Sequence, residues 1–288
     1  MGIRGKAVKT GKAGKKKYQA KAPKAMRFGA KEFKPYDKTS IRWLGLAGFY
    51  INCHGINIML DPVLQGFDMP LLIDVPVKAK QVPRLDAVLI THSDNDHYSA
   101  ATCAALKGVT KKFHSTLYCA SLMKKEGLPS TGHEIGKSFI VGPVKIKLTP
   151  VDHAWQNEQP GNTRRFKDSD ACGFWIETPD GTIWAPGDSR LLKSHLHMPV
   201  PDAIFFDFSE NEWHFGIKGA VKLANAYPDT PLLLCHWGSV DAPDFTPFNA
   251  DPKKLLGLVT NPSRVYILAP GREFILKKTD FNTRGGNF

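Results

Sequence analysis

Cysteine is scarce in this 288-residue chain, long apolar runs are missing, and over most of its length there is almost no net charge. The five cysteines, Cys53, Cys103, Cys119, Cys172 and Cys235, are odd in number and form no C-x-x-C pair. That excludes a disulfide framework and a structural zinc knuckle, and it suits a reducing, cytoplasmic setting. No apolar stretch reaches the roughly 20 residues that span a bilayer. The N-terminus has no apolar core of signal-peptide type, so a soluble chain without a transmembrane segment is expected. Large apolar residues are nearly absent before Met26. Residues 1–38 hold 13 Lys/Arg and 2 Asp/Glu, a net of +11 out of the formal +12, which leaves +1 for residues 39–288. The charge therefore belongs to a tail, and the body is neutral.

Two segments follow from this division. Residues 1–38, with the run Lys15-Lys16-Lys17, cannot bury enough surface to offset their ordering entropy and read as a disordered basic tail. Such a tail suits nucleic acid or an anionic surface, or is simply solvated. Met26, Phe28, Phe33 and Tyr36 are the residues able to fasten its end to the body. Residues 39–288 read as one folded domain. Nothing in the sequence bears on oligomeric state.

From Ile41 the texture is that of mixed strands and helices. Ile41–Gly45, Gly48–Cys53 and Ile56–Leu60 read as short strands closing on Asp61-Pro62, and a Pro-rich loop runs from Pro62 to Pro83. Leu85–Ile90 is a further strand. Ser99 can cap a helix over Ala100–Lys107, and a second helix is expected around Ala120–Glu126. Val144, Ile146 and Leu148 alternate with lysines, the pattern of a half-buried strand. Pro179-Asp180-Gly181 signals a hairpin. Ala203–Phe206 and Pro231–Cys235 read as strands, Ile217–Tyr227 and Pro252–Val259 as helices, and Val265–Leu268 and Phe274–Leu276 as a last hairpin through Pro270-Gly271. Repeated alternation of this kind predicts an α/β fold with a layered αββα body.

Chemistry-bearing residues sit at the strand ends. Ala87-Val88-Leu89-Ile90 delivers Thr91-His92-Ser93-Asp94-Asn95-Asp96-His97-Tyr98, two imidazoles and two carboxylates within six residues. Charges delivered by a buried strand are costly unless matched, and a cation is the usual match. His153, Asp188 and His236 each follow another apolar strand. A histidine after a strand usually means little, but this many ligand types on one rim predict an open metal site. His54, His114, His133, His195 and His197 lie outside the pattern, and Cys172 and Cys235 read as packing residues.

With these residues in view the chain, from about Ile41 to Leu276, resembles the metallo-β-lactamase-fold hydrolases, whose motif H-x-H-x-D-H is followed by a distant His, Asp and His. Trp43-Leu44-Gly45, Leu60-Asp61-Pro62, Gly187-Asp188 and His236-Trp237-Gly238 look most like the branch of the ascorbate-phosphate lactonases and the phospholipase D that cleaves N-acylphosphatidylethanolamine. The resemblance implies a four-layer αββα sandwich and two divalent metal ions. One would be held by His92, Asp94 and His153, the other by Asp96, His97 and His236, with Asp188 between them. Asp94 stands where the family motif has its second histidine. An oxygen donor there shifts preference from zinc, the family's usual metal, toward manganese or iron. Two cations about 4 Å apart activate a water and polarise a carbonyl or phosphoryl oxygen, which implies hydrolysis of an ester-type bond in a small molecule, a lactone or phosphodiester.

In that scheme Asp96 or Asp188 orients the water or receives its proton, His214 is the leaving-group acid and Trp213 walls the pocket. Arg164 and Arg165, beside Lys167, are candidates for binding a phosphate or carboxylate. Asp61 is expected to orient a ligand histidine rather than to bind metal. Two other readings remain open: an iron site handling oxygen, as in flavodiiron relatives with a carboxylate at the Asp94 position, and a protein that binds nucleic acid or an anionic surface through its tail.

Overall fold

The computed structural model describes residues 17–279. Two seven-stranded mixed sheets face each other. The first contains β1 (Thr39–Gly45), β2 (Gly48–Cys53), β3 (Ile56–Leu60), β4 (Ala87–Leu89), β5 (Phe113–Thr116), β6 (Ser130–His133) and, at the far edge beside β1, β14 (Glu273–Ile275). The second runs β13-β12-β11-β10-β9-β8-β7, from β7 (Ser138–Val141), β8 (Val144–Thr149), β9 (Gly173–Thr178) and β10 (Gly181–Ala185) to β11 (Ala203–Asp207), β12 (Leu232–Cys235) and β13 (Val265–Tyr266). Four helices complete it: α1 (Ala100–Leu106), α2 (Leu117–Lys125), α3 (Gly216–Ala226) and α4 (Pro252–Leu256).

The period of two along the first sheet decides how the layers stack. Ile41, Trp43, Phe49, Ile51, Ile58, Leu60, Ala87 and Leu89 join the core between the sheets. Their neighbours Leu44, Tyr50, Met59, Val88 and Ile90 point the other way, into a second core with Cys103 and Leu106 of α1 and Cys119, Ala120 and Met123 of α2. Across the inner core Phe49 stacks on Phe205 of β11, ring centroids 3.8 Å apart. Ala220, Leu223 and Ala224 of α3 and Leu255 of α4 pack against the second sheet. The result is a four-layer αββα sandwich, as the alternation and the resemblance implied.

Several expectations change in detail. Ser99 caps α1 by accepting a hydrogen bond from Thr102 N, but α2 begins at Leu117, where Thr116 accepts from Cys119 N. The strands β5, β6 and β7 carried too little alternation to be read. The last two strands do not form a hairpin: β13 borders β12 in one sheet and β14 borders β1 in the other. The intervening turn is used to cross the sandwich edge. Gly271 N donates to Trp43 O, and a Cβ on Gly271 would lie 1.9 Å from Met26 O, so glycine's φ of 83° and its missing side chain are both required there.

The expected disordered tail needs the largest correction. Its described part, residues 17–38, lies on the body. Ala20, Ala22, Phe28 and Phe33 are buried, whereas Met26 and Tyr36 are exposed. Ala22 N donates to Gly238 O, Met26 N to Pro270 O and Phe28 N to Pro76 O, and Tyr50 Oη donates to Glu32 O. Small apolar residues and backbone pairing do the anchoring that a count of large apolar residues misses. Residues 1–16, including Lys15 and Lys16, lie outside the described residues. Among the described residues no helix is long and apolar enough to cross a membrane.

Candidate metal centre

Strand ends converge on one rim of the sandwich. After β4 the chain turns tightly: Asp94 O accepts from both His97 N and Tyr98 N, at 3.0 and 2.7 Å. This turn aims His92, Asp94, Asp96 and His97 inward before Ser99 starts α1. Asp61, just beyond β3, ties the turn down. Its Oδ1 accepts from Thr91 N (2.8 Å), and its Oδ2 accepts from Thr91 Oγ1 (2.6 Å) and from His97 Nδ1 (2.8 Å). Asp188 follows β10, His153 follows β8, His236 follows β12 and His214 precedes α3. Asp61 and His236 both have left-handed backbone, φ 42° and 64°. For residues other than glycine this costs about 1 kcal/mol or more each, which the surrounding bonds must outweigh.

Among the described residues the side chains form four overlapping groups, each with one ligand atom per residue and all such atoms within 4.8 Å of one another; His214 joins His153 and Asp188 in one and Asp207 and His236 in another, and the remaining two hold the expected ligands. One is His92, Asp94 and His153; the other is Asp96, His97, Asp188 and His236. Asp188 Oδ2 is the meeting point, 3.0 Å from His97 Nε2, 3.4 Å from His236 Nε2, 3.6 Å from His214 Nε2 and 3.9 Å from His153 Nε2. Asp94 Oδ2 lies 3.3 Å from His92 Nε2, and Asp96 Oδ2 lies 3.1 Å from His236 Nε2.

Tautomers follow from what lies behind each ring. His153 Nδ1 donates to Trp213 O (2.8 Å) and His236 Nδ1 to Pro247 O (2.9 Å), and a carbonyl can only accept. His97 Nδ1 donates to Asp61. Thr91 Oγ1 gives its proton to Asp61 and so accepts from His92 Nδ1 at 2.9 Å. All four rings therefore turn Nε2 toward the carboxylates. His92 Nε2 is buried without a hydrogen-bond partner. Four Nε2 atoms and three carboxylates facing one another need positive charge between them, and bound cations fit this donor set without protonating the rings.

The electrostatics say the same. Burial would push His236 down, but Asp188, Asp96 and Asp207 outweigh it and raise its pKa to about 10. His97 and His153 are raised against burial for the same reason, His97 mainly by Asp188 and His153 mainly by Asp94. Burial raises Asp94, Asp96 and Asp188, yet the neighbouring imidazoles bring all three below the usual carboxylate range.

The structure brings His92, Asp94, Asp96, His97, His153, Asp188 and His236 together in these groups, and Asp61 lies behind His97. Trp213 and His214 line a cavity of about 530 Å³ whose floor is formed by Asp94, Asp96, His153 and Asp188. Arg164 and Arg165 do not line it. Arg164 pairs with Asp170 (2.8 Å) and stacks on Tyr118 and Phe166, while Arg165 is exposed elsewhere on that loop. A carboxylate close along the chain competed for the guanidinium.

The sequence reading missed Trp155, Gln156 and Asp207. Trp155 Nε1 donates to Asp94 Oδ2 (2.6 Å) and Gln156 Nε2 to Asp94 Oδ1 (2.7 Å). Asp207 Oδ2 accepts from His214 Nδ1 at 2.8 Å. Asp207 obeys the same strand-end rule as the others, since it closes β11. Trp155 and Gln156 open a short 3-10 turn, Trp155–Glu158, in the loop after β8 and carry no comparable signal.

A profile of the beta-lactamase superfamily domain matches residues 56–237, more than half of the chain. The chain belongs to this superfamily. The matched span ends one residue beyond His236, so it takes in every residue of both groups. Among similar proteins, a metal-dependent hydrolase of Pyrococcus abyssi is 26% identical over 246 residues, 82% of this chain and 99% of that protein. One from Pelotomaculum thermopropionicum is 34% identical over 157 residues, 53% of this chain and 63% of its own. A metallo-hydrolase from Ignicoccus hospitalis superposes with a TM-score of 0.66 at 18% identity, covering 84% of this chain and 100% of that one. The diiron β-hydroxylase CmlA of Streptomyces venezuelae superposes with 0.61 at 13% identity, covering 84% of this chain and 55% of that one. At these identities the structures share the fold and carry nothing further.

Proposed function

We propose that this metal-dependent hydrolase of the metallo-β-lactamase fold works with two divalent metal ions on an ester-type bond, a lactone or phosphodiester, in a small molecule. The observation that supports it most is Asp188 Oδ2, one carboxylate oxygen within 3.9 Å of four imidazole Nε2 atoms from four segments. His92, Asp94 and His153 would hold one ion, Asp96, His97 and His236 the other, with Asp188 serving both. The set mixes imidazole and oxygen donors, which suits zinc and, through Asp94, also manganese or iron. When bound, such a pair supplies an activated water and polarises the oxygen of the scissile bond.

The chain's own residues do the rest. Asp96 or Asp188 orients the attacking water or receives its proton. His214 donates a proton to the leaving group from Nε2, its Nδ1–H being held by Asp207. Trp213 walls the cavity beside it.

Protein purified without chelator should contain between one and two equivalents of transition metal, and His92→Ala should lose part of it. Metal-free wild type that still cleaves esters would overturn the proposal. Two iron equivalents with a visible absorption band would favour oxygen chemistry instead.

A further inference from the structure

The cavity above the candidate metal centre has walls that are aromatic and a mouth that is acidic. Trp155, Trp213 and Phe245 stand around it, and Asp68, Glu158 and Glu212 are the charged residues among the lining above the floor. Among the described residues no lysine or arginine lines it. The lining is thus more acidic than the body as a whole, whose residues 39–288 carry a net charge of only +1.

Three cations close to the cavity wall are engaged elsewhere. Arg190 stacks on Trp213 with Cζ 4.1 Å from the ring, but both its Nε and Nη2 are bonded to Asp152, at 2.9 and 2.8 Å. Its charge is felt by Glu158, yet Asp152 already balances it. Lys254 pairs with Glu210 and Lys17 with Asp244. Asp68, Glu158 and Glu212 have no ion-pair partner among the described residues. The floor is built for ligands independently of this mouth, since the buried Nε2 of His92 has no hydrogen-bond partner and faces Asp94 Oδ2 at 3.3 Å.

We propose that the cavity selects carbonyl esters whose non-reacting part is an apolar group carrying a positive charge, such as an alkylammonium. This rests on the hydrolytic reading above and narrows it from ester-type bonds in general to carboxylic esters. Two divalent ions would roughly balance the five carboxylates at the centre, the buried Asp61, Asp188 and Asp207 and the partly buried Asp94 and Asp96. The three mouth carboxylates then leave the approach to the site negative. A cation is drawn in by that field and finds ring faces to rest on; a neutral isostere finds only the rings; an anion, phosphodiesters included, is repelled with no guanidinium or ammonium to receive it.

Three esters of one acyl group test this on full-length, metal-loaded protein: the choline ester, the isostere in which carbon replaces the ammonium nitrogen, and a sulfoethyl ester. At low salt kcat/KM should be about tenfold higher for the choline ester than for the isostere, and lower again for the sulfonate. The preference should shrink at about 0.5 M salt, where screening falls to a few ångströms, and in a Glu158→Gln/Glu212→Gln variant.

In parallel, choline and its carbon isostere as free alcohols are titrated against tryptophan emission. Of the six tryptophans, Trp155 and Trp213 line the cavity while the other four are buried in the core. Equal rates for the three esters, or preference for the anion, overturn the cation proposal and leave the hydrolase reading standing. If none of the three esters is cleaved, the narrowing to carboxylic esters fails, and the emission titration alone decides on the cation. Tighter binding of choline than of its isostere then supports the proposal; equal binding, or none, overturns it.

Discussion

The two donor groups, which on the proposed reading would share Asp188, are built differently. Asp96, His97, Asp188 and His236 sit on strand ends and the post-β4 turn, with His97 held from behind by Asp61 and His236 by Pro247 O. His97 is fully enclosed. The His92, Asp94 and His153 group depends on Asp94, whose side chain keeps 17% exposure and is held by Trp155 and Gln156 from the loop that also supplies the cavity's Glu158 and Gln159. One half is fixed by the sheet and the other by a loop. Rigid donors favour tight metal binding, whereas loop-held donors leave affinity adjustable by whatever enters the cavity.

The most severe way to break this comparison is to remove what the halves share. Asp188→Ala leaves four Nε2 atoms facing a carboxylate that is gone, and metal content should fall in both halves. Activity should drop by well over the roughly 10–100-fold typical of losing a residue behind the ligands. Metal analysis with a melting curve in chelator separates metal loss from unfolding; a variant that keeps two equivalents would show Asp188 to be peripheral.

Acidity tests the halves next. In the metal-free protein His236 has its pKa raised to about 10, with His97 and His153 also raised. Raised histidines stabilise the fold fully below their unfolded value, about 6.5, and that contribution is lost as pH climbs through the folded values. Metals displace those protons, so affinity should climb with pH by about tenfold per unit for each proton displaced. The His97–His236 half, with two raised rings against one, should show the steeper slope. Calorimetric titration in buffers of different ionisation enthalpy counts the protons directly.

A crossed pair of variants isolates each support. Asp61→Asn weakens the hold on His97 and should lower metal affinity of the sheet-held half by about 10–100-fold, leaving the other half near its original value. Trp155→Phe removes a charge-assisted bond to Asp94 while keeping an aromatic wall, and should weaken only the loop-held half, by about tenfold. Two-step metal titrations read both. If each variant weakens both halves equally, the supports are not separate.

The legibility of the two halves in the sequence follows the same division. His92, Asp96, His97, His153, Asp188 and His236 could be found because short apolar strands announce what stands at their ends. Asp207 obeys that rule and was passed over only because its partner His214 is remote from any strand end. Trp155 and Gln156 could not be found, since a loop's geometry depends on what it packs against. Arg164 was misplaced for a related reason: Asp170, six residues on, neutralises it within the loop. The layered fold was legible from periodicity, whereas β5, β6 and the true partners of β13 and β14 depend on contacts distant in sequence. Residues 17–38 misled because their anchors are mostly backbone groups, which composition does not reveal.

That misread segment provides the mildest test. Gln19 reaches across to the loop behind His236. Its amide nitrogen donates to Val240 O (2.7 Å) and Phe248 O (3.2 Å), and its carbonyl accepts from Ala242 N (3.0 Å). The same loop carries Pro247 O, which fixes the His236 ring, and Phe245, Pro247 and Phe248 of the cavity wall. Gln19→Ala removes all three bonds from a half-buried site, worth about 1–3 kcal/mol in stability. The His236 ring remains attached to its own strand end, so metal content should hold while the wall loosens. KM should then rise a few-fold with kcat nearly unchanged. Loss of metal from the sheet-held half instead would mean that its rigidity comes from this strap as much as from the strands, and the contrast between the two halves would have to be redrawn.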